Sequence, residues 1–152
     1  MSLILHPDER LSTKAEPVTN FQLVPALAAR MHAEMRNCNG IGLSANQFEM
    51  SFHAADVAPS VGIPQIIVIG LGTTYVHPTW LPVGQDTEVA TEGCLSLPGI
   101  LLPVRRFKAI TLTALTTGGG EIEVNFYGIW ARVIQHECDH LLGRLISDTV
   151  IL

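Results

Sequence analysis

Residues 125–143 read Asn-Phe-Tyr-Gly-Ile-Trp-Ala-Arg-Val-Ile-Gln-His-Glu-Cys-Asp-His-Leu-Leu-Gly, the stretch on which the reading of the fold turns. Ile129, Val133, His136 and His140 recur at helical spacing, and Trp130, Ile134 and Leu141 form a second apolar stripe. A helix that is apolar on two sides belongs in the middle of a structure, covered by sheet. Asn125 is read as its N-cap and Gly143 as the residue that ends it, just past Leu142. Within the helix, Gln135-His136-Glu137-Cys138-Asp139-His140 holds the pattern H-E-x-x-H. Histidines four residues apart lie one above the other, so both imidazoles can aim at a single metal ion, and Glu137, beside a ligand, can reach its water as a general base.

On either side of this helix the chain supplies strands. Lys108 to Thr116 alternates Ile110, Leu112 and Ala114 with threonines, and after Gly118-Gly119-Gly120 the alternation resumes from Glu121 to Asn125, which reads as a β-hairpin. The glycine-flanked segments Phe52 to Val57 and Gln65 to Ile69 read as buried strands. Leu23, Leu27, Met31 and Met35 mark a first amphipathic helix, with Pro25 tolerable near its start. The expected fold is α+β, with mainly antiparallel sheets around a central metal-binding helix.

The chain has 152 residues, 47% of them apolar, enough for one core and too few for two ordinary domains, so residues 1–152 are read as one catalytic domain without a long C-terminal extension. With 15% charged residues and a net charge of −5, no general attraction to nucleic acid or anionic membrane is expected, and Arg105-Arg106-Lys108 reads as a solvated face. The longest apolar run, Ile66 to Leu71, is far short of the ~20 residues that span a bilayer, and Leu3-Ile4-Leu5 is cut off by Pro7 before a signal-peptide core forms. Cys38, Cys94 and Cys138 make an odd set without scaffold-like spacing, which suits a reducing compartment. The expected setting is the cytoplasm, or an organelle matrix or host cytoplasm depending on source.

A catalytic metal takes three protein ligands and keeps a position for water, so the helix needs a partner. Cys94, in Glu92-Gly93-Cys94-Leu95-Ser96, is the best candidate, beside a glycine that permits close backbone approach; His77, His53 and Glu92 stay open as alternatives. In Gly40-Ile41-Gly42-Leu43-Ser44-Ala45-Asn46-Gln47 the glycines can let a substrate backbone lie close, and Gln47 can donate an amide N–H to an oxyanion.

Taken together and in order, the segments at 40–47, 92–96 and 135–140 resemble the three signature motifs of peptide deformylases, and the similarity runs from Leu5-His6-Pro7-Asp8-Glu9-Arg10-Leu11 to Gly143 and Asp148. The resemblance implies metal-dependent hydrolysis of the N-formyl group from the N-terminal formyl-methionine of nascent proteins. It makes Cys94, His136 and His140 the metal ligands, Glu137 the acid/base, and Gln47 with the Leu95 N–H the oxyanion hole. It places substrate against Gly40, Ile41, Gly42, Gly93, Ile129 and Val133, and gives Asp139 and Arg106 orienting roles. It further implies Fe²⁺ as the cofactor, with Zn²⁺, Ni²⁺ or Co²⁺ found in purified protein, formyl-methionyl nascent peptides as partners, ribosome proximity and a monomer. Two features depart from the family pattern: His77-Pro78 where Asn-Pro is usual, and an end twelve residues after His140. The competing readings are a zincin-like peptidase, which needs a further ligand that Leu141 to Leu152 lacks, and a catalytically silent peptide-binding module.

Overall fold

The computed structural model describes residues 3–49, 54–58 and 62–148. Among them the seven strands form two antiparallel units: a five-stranded sheet in the order β1-β2-β3-β6-β7 and a separate two-stranded sheet, β4-β5. The strands are β1 (Gly42–Ser44), β2 (Ile66–Ile69), β3 (Thr73–Pro82), β4 (Thr87–Cys94), β5 (Leu97–Phe107), β6 (Ala109–Leu115) and β7 (Glu121–Tyr127). The helices are α1 (Val24–Asn37), the four-residue α2 (Ala54–Val57) and α3 (Gly128–Leu141). The architecture is α+β, as the order of elements predicts.

The main core lies between the five-stranded sheet and the helices. Leu27, Met31 and Met35 of α1, Ile66 to Ile69 of β2, Ile110 and Leu112 of β6, and Ala131 and Ile134 of α3 are all buried in it. Every residue of β2 is buried, which explains why that strand reads as a continuous β-branched run instead of an alternation. In β6 the alternation is the fold: Ile110, Leu112 and Ala114 point inward while Thr111 and Thr113 do not. A second, smaller cluster of Ile4, Leu11, Leu97, Val104, Leu145 and Ile146 joins the β4-β5 sheet to the two ends of the chain.

Three expectations are corrected. Ala54–Val57 is a short helix, so the strand read over 52–57 does not form there; Phe52 lies outside the described residues. Asn125 does not cap α3: the β6-β7 register continues to Ala109↔Tyr127, and the Asn125 side chain accepts a hydrogen bond from Thr111 Oγ1 at 2.8 Å. The turn from strand to helix is made by Gly128, at φ 61°, where a left-handed conformation suits glycine. Arg106 is not on a solvated face; its side chain is 7% exposed and ion-paired. Gly143 ends α3 as expected, at φ 77°, and a Cβ there would lie 2.6 Å from the Ser12 carbonyl oxygen. No helix among the described residues is long and apolar enough to cross a membrane.

Candidate metal centre and active site

Nine of the fourteen residues of α3 are buried, including His136, Glu137 and His140. The register of the helix brings His136 Nε2 and His140 Nε2 to 3.1 Å from each other. Opposite them, β4 carries Glu92 and, past a register shift after Gly93, Cys94 at its end. Cys94 Sγ lies 3.4 Å from His140 Nε2, and the ligand atoms of Cys94, His136 and His140 all fall within 4.8 Å of one another. Metal–nitrogen distances of about 2.0 Å and a metal–sulfur distance of about 2.3 Å in a tetrahedron place nitrogens about 3.3 Å apart and nitrogen and sulfur about 3.5 Å apart, so this donor set fits a metal ion. His77 and Glu92 are not in the cluster. His77 Nε2 instead accepts the Val18 N–H at 2.7 Å, and His53 lies outside the described residues.

Glu92 organises the second face of the centre. His136 Nδ1 donates to Glu92 Oε1 at 2.8 Å, which fixes the tautomer and leaves Nε2 free to bind a metal. Arg106 donates to both Glu92 oxygens, at 2.9 and 3.0 Å, and to Asp139; Arg132 donates to Glu92 Oε2. Burial opposes the charge on Glu92, yet the bonds from His136 and Arg106 hold its pKa down to about 2. Burial likewise opposes a charge on His136, but Cys94, Glu92 and Glu137 around the ring push its pKa up to about 10. A bound cation would have to displace that proton, because a histidine ligand is neutral. His140 is held well below the ordinary range by burial first and then by His136 and Arg106, so it stays neutral, as a ligand must.

Glu137 sits at the floor of a cleft of about 570 Å³. Its Oε2 is buried without a hydrogen-bond partner among the described residues, and burial pushes its pKa up to about 7, against the pull of His136 and Arg106. The glycine at 42 is what admits this carboxylate: a Cβ there would come 3.0 Å from Glu137 Oε1 and 2.9 Å from a Val133 methyl. Gln47 is anchored by its own turn. Its Oε1 accepts the Ser44 N–H at 3.0 Å, while Nε2 donates to Ser96 Oγ at 3.1 Å and faces Cys94 Sγ at 3.6 Å. Leu95 occupies the tight turn between β4 and β5, beside Cys94. Gly40, Ile41, Gly42, Gln47, Gly93, Leu95, Ile129 and Val133 all line the same cleft as Cys94, His136 and Glu137.

The sequence alone assigns no role to Arg132, Ser96 or Gln135. Arg132 lies on the cleft face of α3, four residues before His136, and the signal that marks it is one charged residue beside an apolar stripe. Ser96 ties Gln47 to the Ile4 carbonyl, and Gln135 bonds both the N–H and the C=O of Phe107.

The polypeptide deformylase family model matches residues 1–151. The chain belongs to the polypeptide deformylase family. It is 36% identical over 148 residues to the peptide deformylase of Thermotoga maritima, covering 94% of this chain and 82% of that protein. The crystal structure of a Thermotoga maritima peptide deformylase superposes with a TM-score of 0.86 at 34% identity, over 100% of this chain and 99% of that one. A peptide deformylase from Synechococcus elongatus, in complex with actinonin, gives 0.87 at 29% identity, over 100% of this chain and 79% of that one. The activity is that of a peptide deformylase: metal-dependent hydrolysis of the N-formyl group from the N-terminal formyl-methionine of nascent proteins, with release of formate.

Proposed function

We propose that this chain performs deformylation with Cys94, His136 and His140 as the metal ligands, Glu137 as the proton-transfer group, and Gln47 and the Leu95 N–H as oxyanion donors. The observation that carries this reading is the meeting of three ligand atoms within 4.8 Å beside a buried carboxylate that lines an apolar cleft. When bound, the metal supplies Lewis acidity and lowers the pKa of water. Glu137 accepts the proton as water adds to the formyl carbon, and delivers it to the amine nitrogen as the C–N bond breaks and formate leaves. Gln47 Nε2 and the Leu95 N–H donate to the carbonyl oxygen as it gains charge. Gly40, Gly42 and Gly93 receive the peptide backbone, and Ile41, Ile129 and Val133 surround the methionine side chain.

The metal we propose is Fe²⁺, with Zn²⁺, Ni²⁺ and Co²⁺ able to occupy the same ligands. General affinity places Fe²⁺ below Zn²⁺, so supply and reactivity, not binding strength, select iron. The enzyme is read as a single-domain monomer over residues 1–152, acting in the cytoplasm on nascent chains near the ribosome. Its three free cysteines suit the reducing cytoplasm.

Glu137→Ala tests the reading. It should retain metal and lose activity on formyl-Met-Ala-Ser by ~10²–10⁴-fold, as expected for an acid–base group. Activity within tenfold of wild type would remove Glu137 from the mechanism.

A further inference from the structure

Among the described residues the β4-β5 sheet is hydrogen-bonded to no other strand, yet it carries one of the three proposed ligands. Leu97 and Val104 join a small cluster that leads to the chain termini, while Leu95 and Phe107 pack against the main core. Toward α3, where the two histidines sit, one side chain makes three of the hydrogen bonds that hold the sheet. Arg132 Nη1 donates to Glu92 Oε2 and to the Val104 carbonyl at 2.9 Å, and Nη2 donates to the Glu88 carbonyl at 2.8 Å. A single guanidinium thus grips residues 88 and 92 of β4 and residue 104 of β5 from a position one helical turn before His136.

We propose that Arg132 is a positioning residue that straps the Cys94-bearing hairpin to the histidine-bearing helix and so sets where the three ligand side chains meet. The inference rests on the ligand assignment above. Glu92 accepts Arg106 Nε and Arg132 Nη1 on Oε2, and Arg106 Nη2 and His136 Nδ1 on Oε1, which fills all four acceptor positions of a carboxylate. Each of those bonds limits where the others can go. Without Arg132, one acceptor on Glu92 and the carbonyls of Glu88 and Val104 lose their donor. The strand is then free to shift at a point two residues before Cys94, and the carboxylate that orients His136 shifts with it. The side chain of Arg132 is 11% exposed, so water does not readily replace its bonds to Glu92 and Val104, whereas the bond to Glu88 is exposed. Lysine cannot substitute fully, because one ammonium lacks the planar fork that reaches three acceptors at once.

The test uses the full chain, stripped of metal and titrated anaerobically with Co²⁺, whose thiolate charge-transfer absorption reports a cysteine ligand independently of substrate. Wild type should bind Co²⁺ with that band present. Arg132→Met should bind Co²⁺ ~10–100-fold more weakly, the usual cost of losing a group that holds a ligand in place, with the thiolate band reduced relative to the cobalt d–d bands. Arg132→Lys should fall between the two, and it carries the test if circular dichroism shows that Arg132→Met does not fold. Arg105→Met, at an exposed residue bonded to Thr87 Oγ1, controls for loss of charge and should match wild type. Wild-type affinity and an undiminished thiolate band in both Arg132 variants would overturn the strap while leaving the ligand assignment standing. Absence of the band from wild type itself would overturn the ligand assignment, and the strap with it.

Discussion

The molecule contains two long hairpins that are built on opposite principles. In β6-β7 one face is apolar and buried: Ile110, Leu112, Ala114 and Phe126 point into the main core. In β4-β5 Val89, Ile100 and Leu101 are exposed, and the residues turned inward include Glu92 and Arg106, which are ion-paired to each other. One hairpin is held by burial of apolar area, and the other combines the apolar contacts of Leu97, Val104 and Phe107 with charge-assisted hydrogen bonds. The second carries Cys94 and borders the cleft. Fold stability and site geometry thus depend on different physics in the two regions.

Breaking the polar hairpin should have the larger effect. Glu92→Ala leaves Arg106 and Arg132 buried without their shared partner, and should cost ~3–5 kcal/mol in urea unfolding together with loss of metal. A cost below about 1 kcal/mol would mean that the network is solvated and that the contrast between the hairpins is false. Leu112→Ala, fully buried in β6, should cost ~2–5 kcal/mol while kcat/KM on the remaining folded protein is unchanged. Leu101→Ala, 70% exposed in β5, should change stability by less than ~0.5 kcal/mol, although it replaces a leucine in a strand. A large loss there would show that the hairpin does rely on apolar burial.

His77 offers a subtler probe, at the bulge of β3 between Val76 and Thr79. Because a backbone N–H can only donate, the bond from Val18 requires an unprotonated Nε2, and burial lowers the ring's pKa from its ordinary value. The folded state therefore binds a proton less readily than the unfolded chain. The stability contributed by this ring is present above its ordinary pKa of about 6.5 and is lost as pH falls below it. Unfolding midpoints of wild type should drop between about pH 7.5 and about pH 5.5 by more than those of His77→Asn, which tolerates the φ of 51° without a titrating ring. Equal drops would exclude His77 as a source of pH sensitivity.

The same contrast explains what the sequence could tell. Periodicity finds β6-β7, β2, α1 and α3 because each buries a regular apolar pattern, and the three short motifs contain Cys94, Gln47, Glu137 and both histidines. It does not find β4 or β5, where alternation puts Glu92, Val104 and Arg106 on the same inward face. Charged residues inside defeat a pattern that equates inward with apolar. The charge run Arg105-Arg106-Lys108 suggests a solvated face, whereas the orienting role that the resemblance implies for Arg106 agrees with its bonds to Glu92 and Asp139, and Arg132 lies outside both apolar stripes of α3. The cap assigned to Asn125 failed because strand pairing continues two residues further, a non-local effect that no cap signal contains. His77 and Glu92 could be separated from the ligands only by geometry.

The most direct test of the account compares wild type with Cys94→Ala for metal content and formate release from formyl-Met-Ala-Ser, both proteins being purified without air. If the centre is assembled from the polar hairpin and the buried helix together, wild type holds one metal per chain and releases formate, and Cys94→Ala loses both while keeping its fold by circular dichroism. Retention of metal and activity by folded Cys94→Ala would contradict the claim that the hairpin completes the site.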